Sequence, residues 1–196
     1  IHHEEDLDDN LKKYSALCAC KGASGPLVYY EIGSSLMGAI DSLEYLNKKF
    51  GKLDVSDILF AGVDNSRMMN TLAFYTHPGY KLALFEEKAV IPCDLFFAKG
   101  VSLLYAFEDE DLFCDILKKS RLAVFDYTFS LKNEAVKDVI VSGKTGVYLS
   151  LDKCKHLLNS EKKQLLLHPS KRKFKIPKDR RLYECIYGDK ELIKKY

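Results

Sequence analysis

Glu31 and Asp64 each stand at the end of a short apolar run, and each is followed by residues able to turn the chain and meet a ligand. The first run, Leu27-Val-Tyr-Tyr-Glu-Ile32, leads into Gly33-Ser34-Ser35-Leu-Met-Gly38. Glycine at a sharp strand-to-helix turn leaves the backbone open to close approach, and serines there can cap the helix or offer hydroxyls to an anion. By this reading Gly38 lets the following helix lie close to the strand. The second run ends in Gly62-Val-Asp-Asn65, where the Asp64 carboxylate can accept both hydroxyls of a ribose. Helix capping is an equally good chemical use for Asp64, Asn65 or Ser66, and the two roles are compatible. Lys99 and Tyr105, after a third apolar run, and Tyr127, on a fourth, are placed to meet a second substrate, but each also suits plain packing or a solvated surface. His77, His156 and His168 read as surface residues. No catalytic base stands out.

These residues need a scaffold that brings strand ends together, and the chain has the pattern of one. Short apolar, β-branched and aromatic runs at 27–32, 57–63, 81–85, 93–98 and 122–127 read as strands. Amphipathic stretches lie between some of them: Leu36, Ala39, Ile40, Leu43, Leu46 and Phe50 recur at helical spacing until Gly51, Ser66–Thr76 runs to His77-Pro78-Gly79, and Glu108–Ser120 repeats the helical pattern. Gly146–Leu151 and Leu182–Tyr187 read as strands of an antiparallel edge. The expected class is α/β: a three-layer, doubly wound, mostly parallel sheet with antiparallel strands near the C-terminus. Such sheets take ligands at the carboxyl ends of the strands, where strand order reverses.

The ordered set Tyr29-Tyr-Glu-Ile-Gly-Ser-Ser, Gly62-Val-Asp-Asn, Cys93-Asp-Leu-Phe-Phe-Ala-Lys and Ser120-Arg-Leu-Ala-Val-Phe-Asp-Tyr resembles the class I S-adenosylmethionine (SAM)-dependent methyltransferases, in particular their sugar O-methyltransferase-like branch, over residues 25–150. The resemblance implies a Rossmann-like fold and SAM as cofactor. It implies that Glu31, Gly33 and Ser34 meet the methionine and ribose part, that Asp64 binds the ribose, and that Asn65 lies near the adenine, with Ser35, Gly38 and Lys99 completing the cofactor-binding set. The glycine loop is poorer in glycine than the family pattern, and the stretch after the fourth strand lacks an acidic or Asn-Pro-Pro-Tyr signature. The implied reaction is O-methyl transfer to a small or sugar-like acceptor. Gly33-Ser-Ser-Leu-Met-Gly38 does not have the Gly-x-Gly-x-x-Gly spacing of a dinucleotide enzyme.

Composition bounds the alternatives. With 47% apolar and 30% charged residues in 22.4 kDa, the chain suits one globular domain, here residues 25–196 behind an N-terminal segment 1–24 whose first six residues suit a tag remnant or a truncated start. No apolar run is long enough to span a bilayer, and no signal peptide pattern is present, which points to the cytoplasm. Six scattered cysteines read as small buried thiols, and Cys18-Ala19-Cys20 lacks zinc-site spacing, so no metal is expected. Charge is uneven: residues 1–152 carry 16 Lys+Arg against 23 Asp+Glu, and residues 153–196 carry 14 against 5. The run Lys171–Arg181 suits a solvated loop or, in a rival reading, the basic C-terminal third of a non-catalytic module that binds a polyanion such as nucleic acid, or a protein partner. The short segment before the first strand leaves little material for an acceptor-binding cap, so a second copy of the chain, as a homo-oligomer, or further N-terminal residues would complete the pocket.

Overall fold

The computed structural model describes residues 2–22, 25–32, 36–64, 66–98, 103, 107–108, 110–141, 144–170 and 176–196. The chain forms helix α1 (His2–Cys20), strand β1 (Val28–Ile32), α2 (Leu36–Phe50), β2 (Leu59–Val63), α3 (Arg67–Thr76), β3 (Lys81–Phe85), β4 (Cys93–Ala98), α4 (Glu110–Lys119), β5 (Ser120–Ser130), β6 (Val136–Val141), β7 (Lys144–Tyr148), α5 (Leu151–Leu158), β8 (Lys163–Pro169), β9 (Arg180–Asp189) and the short α6 (Lys190–Ile193).

Seven strands make one sheet in the order β3-β2-β1-β4-β5-β9-β8, and β6 and β7 pair in a separate hairpin. Strands β1 to β5 are mutually parallel, while β9 runs antiparallel to both β5 and β8. The expected antiparallel strand 182–187 is therefore present within β9, but it lies one place in from the edge, which β8 occupies. The expected strand 146–151 is part of β7 in the hairpin instead, and Leu151 already begins α5.

Alternation across the pleat divides the core in two. Tyr29, Phe60, Leu95, Phe97, Leu122 and Val124 face α1 and α2, whose Tyr14, Leu17, Ile40 and Leu43 complete that cluster. Tyr30, Ile32, Phe96, Ala98, Phe125 and Tyr127 face α4 and α5, with Phe113, Ile116 and Cys154. Helix α2 ends where the periodicity does: Gly51 takes φ +63° and its N–H caps Asn47 O at 2.7 Å, the left-handed termination that favours glycine. Helix α3 lies beside α2, tied by His77 Nε2 to Asp41 Oδ1 at 3.0 Å. His77 is buried, contrary to its surface reading, because its ring also packs on Tyr80. His156 and His168 are exposed as expected.

No helix joins β3 to β4. The seven residues 86–92 cross the α4 side of the sheet as a strap, pinned where Tyr30 Oη donates to Ala89 O at 3.0 Å, with Ile91 packed on the core. The reach is sufficient: passing three strands at ~4.8 Å spacing while returning ~17 Å along the sheet needs ~22 Å, and eight extended residue steps supply ~27 Å.

The amino edge of the sheet is stitched shut. Asp94 Oδ2 accepts from Val28 N at 2.9 Å, its Oδ1 meets Arg121 at 2.7 Å, and Arg121 also donates to Cys20 O at 3.0 Å, so one carboxylate joins β1, β4, β5 and the end of α1. Close packing continues where β5 meets β9. A Cβ on Gly188 would collide with the backbone carbonyl of Arg121, which paired strands cannot move. Gly188→Ala is therefore expected to lower the unfolding free energy by about 2 kcal/mol through overpacking, read as a lower urea midpoint at unchanged slope.

Candidate functional site

The opposite, carboxyl edge carries the side chains that could do chemistry. Registers Ile32↔Val63, Glu31↔Gly62 and Glu31↔Phe97 bring the ends of β2, β1 and β4 side by side. The connection leaving β1 goes to α2, and the chain returns to β4 from the other face, so strand order reverses between β1 and β4, the place where doubly wound sheets hold their ligand crevice. Strand β5 is level with β4 at Ala98↔Phe125 and then runs on to Ser130 beside β9, forming a wall above the rim. The hairpin stands on this wall: Ser130 N donates to Leu149 O at 2.9 Å, Arg180 pairs with Asp138 at 2.9 Å, and its guanidinium stacks 4.1 Å from the Tyr148 ring centroid.

Glu31 is buried, and both of its oxygens have partners. Lys13 of α1 approaches Oε1 at 3.3 Å and Tyr29 Oη donates to Oε2 at 2.5 Å. The Lys13 ammonium also lies 4.7 Å over the Phe97 ring. Burial, and after it the Glu31 carboxylate, push the Tyr29 phenol well above its usual pKa, so it stays a donor. One residue earlier in the helix, Lys12 bridges Asp8 at 2.7 Å and Glu184 of β9 at 3.4 Å.

Asp64 is half-buried directly after β2. Its Oδ1 accepts from Ser66 N at 2.7 Å, its backbone N–H donates to Phe85 O at 3.3 Å, and its carbonyl accepts from Asn70 at 3.2 Å. The capping use of Asp64 is thus realised with one oxygen. Gly38 is exposed in the first turn of α2, where its carbonyl accepts from Ser42 Oγ at 2.6 Å. Close approach of α2 to the sheet is made instead by Ala39, Ile40 and Leu43, all buried. Gly33, Ser34, Ser35, Asn65, Lys99 and Tyr105 lie outside the described residues, as does the basic run Lys171–Lys175. Tyr127 is buried, with its Oη donating to Val147 O at 2.7 Å, which assigns it to packing against the hairpin.

Sequence reasoning missed Lys13, Lys12 and Glu184. The signal existed in part: Leu7, Leu11, Tyr14, Leu17 and Cys18 have helical spacing, which puts Lys12 and Lys13 on the borders of an apolar stripe. Which strand carboxylates they meet follows only from the fold. No helix among the described residues is long and apolar enough to cross a membrane. Among those residues no group of three or more His, Cys, Asp or Glu could hold a metal ion.

No protein-family model and no curated protein sequence matches the chain. Solved structures do. The N-terminal domain of EvdMO1 with S-adenosylhomocysteine (SAH) bound superposes with a TM-score of 0.59 at 11% identity, covering 94% of this chain and 80% of that one. The same domain in the presence of SAH and D-fucose gives 0.57 at 11%, covering 92% and 82%. CalS10 from Micromonospora echinaspora with SAM bound, an amino pentose methyltransferase, gives 0.51 at 8%, covering 93% and 90%. The architecture is the Rossmann-like methyltransferase fold.

The Lys13–Glu31 pair is buried on both sides, with side chains 11% and 6% exposed. Lys13→Met strands the carboxylate and is expected to cost about 3 to 5 kcal/mol in chemical denaturation, while Lys13→Met combined with Glu31→Gln recovers most of the loss. A single variant as stable as the parent would show that the pair is not held out of water.

Proposed function

We propose that the protein is a SAM-dependent methyltransferase that methylates a hydroxyl of a small, sugar-like acceptor. One observation carries this reading: neighbouring, in-register parallel strands end in Glu31-Ile32 and Val63-Asp64 at the point where strand order reverses. The donor set fits the cofactor. The carboxylate at the tip of β2 suits a ribose diol, and Asp64 Oδ2 is the oxygen a ribose hydroxyl would use, since Oδ1 accepts from Ser66. The rim ends in Ile32, Val63 and Ala98, all buried apolar side chains, whose character would suit a planar base.

When bound, SAM supplies an electrophilic methyl group on a sulfonium. The chain's part is positioning. Asp64 would fix the ribose, with Asn65 near the base. Gly33, Ser34, Ser35, Gly38 and Lys99 would complete the cofactor-binding set, and Glu31, neutralised by Lys13, would accept along its remaining lone pairs. The wall of β5, β9 and the hairpin would keep water from the acceptor side. Support for a sugar-like acceptor comes from CalS10, an amino pentose methyltransferase, and from the EvdMO1 domain crystallised in the presence of D-fucose.

Calorimetric titration with SAH tests this function. Saturable binding is expected, weakened by about 1 to 3 kcal/mol in Asp64→Ala, the loss when a buried polar group loses its partner. Asp64→Asn keeps an acceptor for Ser66 and so separates capping from ribose binding: it should preserve stability while weakening SAH. Folded protein that gives no heat at millimolar SAH would overturn the proposal.

A further inference from the structure

Away from the crevice, a groove of about 540 Å³ runs along the outer face of α1. Leu11, Tyr14 and Cys18 form its floor, spaced three and four residues apart so that they share one helix face. Phe50 and Lys52, at and just after the end of α2, stand on one side, and Lys195 and Tyr196 on the other. The groove lies toward the closed amino edge, since Cys20, two residues beyond Cys18, is the residue bound to Arg121 and Asp94.

Its chemistry is two-sided. Three lysines, Lys21, Lys52 and Lys195, line it, and among the described residues no Asp or Glu side chain does. Lys21 Nζ donates to Lys52 O at 2.7 Å, which holds the Lys21 ammonium at the Lys52 end of the groove. The Cys18 thiol senses both cations, Lys52 more than Lys21, although burial outweighs them and pushes its pKa up. The aromatic part is equally fixed. Tyr14 Oη donates to Asn47 Oδ1 and accepts from Lys52 N, each at 3.0 Å, so the ring cannot swing away. The Phe50 ring lies 5.7 Å from it at 41° and is 44% exposed, a large apolar surface beside cations. The volume is that of a site for a small organic ligand, within the roughly 300 to 1,000 Å³ range. Lys21 and Lys52 at one end, beside the exposed Phe50 ring that packs on the buried Tyr14, match a molecule with a charged head and a flat body.

We infer that this groove is a second binding site, for a planar organic anion of mononucleotide size, with its phosphate or carboxylate at Lys21 and Lys52 and its ring against Phe50, which rests on the buried Tyr14. The inference does not rest on the methyl-transfer reading, because no residue lining the groove is among those assigned to the cofactor.

Cys18 supplies the readout. Of the six cysteines it alone is half-exposed, the other five being buried. Native protein is alkylated with iodoacetamide, a neutral reagent that the lysines do not attract, and the modified residue is identified by mass spectrometry. The probe is adenosine 5′-monophosphate at constant ionic strength, with adenosine and inorganic phosphate as separate arms. The nucleotide should slow Cys18 alkylation by roughly tenfold when present at about ten times its dissociation constant, the mass-action factor for a ligand that covers the thiol. Adenosine and phosphate should each protect far less. Lys52→Glu, a change at an exposed position, should abolish protection by the nucleotide while labelling of the free protein stays confined to Cys18. No protection at millimolar nucleotide would overturn the site. Equal protection by adenosine would overturn the role of the lysines, and equal protection by phosphate would overturn the role of the rings.

Discussion

Strand β1 is the pivot of the molecule. It is parallel to β2 on one side and β4 on the other, and the chain leaves it toward one face of the sheet and returns to β4 from the opposite face. Right-handed crossovers require this change of face when the direction of strand addition reverses. It follows that no described connection bridges the carboxyl edge between β1 and β4. The amino edge is the opposite case, since Asp94 draws β1, β5 and α1 together there. One edge is thus tied by charge and hydrogen bonds, and at the other the ends of β1, β2 and β4 stand side by side.

Helix α1 gives that open edge one of its sides. It runs antiparallel to β1, with Cys20 at the amino edge and Lys12 and Lys13 at the carboxyl edge. Nineteen residues at ~1.5 Å rise make a helix of ~28 Å, against ~17 Å for the five residues of β1. The first turns therefore extend past the strand ends and flank the crevice. Hydrophobic contacts at Tyr14, Ala16 and Leu17 press the helix to the sheet, but they do not by themselves select its position along the strands. The ion pairs do: Lys13 has a partner in Glu31 only when α1 sits at this height. A buried pair adds little net stability, because desolvation offsets its Coulomb attraction, yet a shifted helix would leave both charges unpaired.

What the sequence made legible follows from burial. Strands β1, β2 and β4 and helix α2 are covered on one or both faces, so their apolar runs and helical spacing are strong and their limits fall within two residues of the expected ones. Strand β5 is longer than expected, because Thr128–Ser130 extend it only by pairing with the late strand β9. Among the described residues strand β6, Val136–Val141, pairs only with β7, and polar Lys137 and Asp138 interrupt its apolar residues, which weakens the strand pattern. Strand β8 is an edge strand with Leu165 alone buried, and its apolar triplet Leu165–Leu167 fits a strand or a helix equally. Helix α5 was hidden because Leu151 was read as the end of a strand. At the site, the acids at the strand tips were legible since position alone marks them, whereas the cations of α1 were not, since their partners come from β1 and β9.

Asp64 shows why two readings of one residue need not compete. The carboxylate follows β2, and the backbone must turn there into α3, whose first N–H groups have no partner within the helix. By accepting from Ser66 N, Oδ1 satisfies one of them and fixes the plane of the carboxylate. Asn70, one helical turn further on, donates to the Asp64 carbonyl and holds the backbone of the same residue. A side chain restrained in this way has already lost the rotamer entropy that ligand binding would otherwise cost. The helix cap thus preorganises the group that, in the proposed function, a diol would meet, so the structural role would serve the binding one.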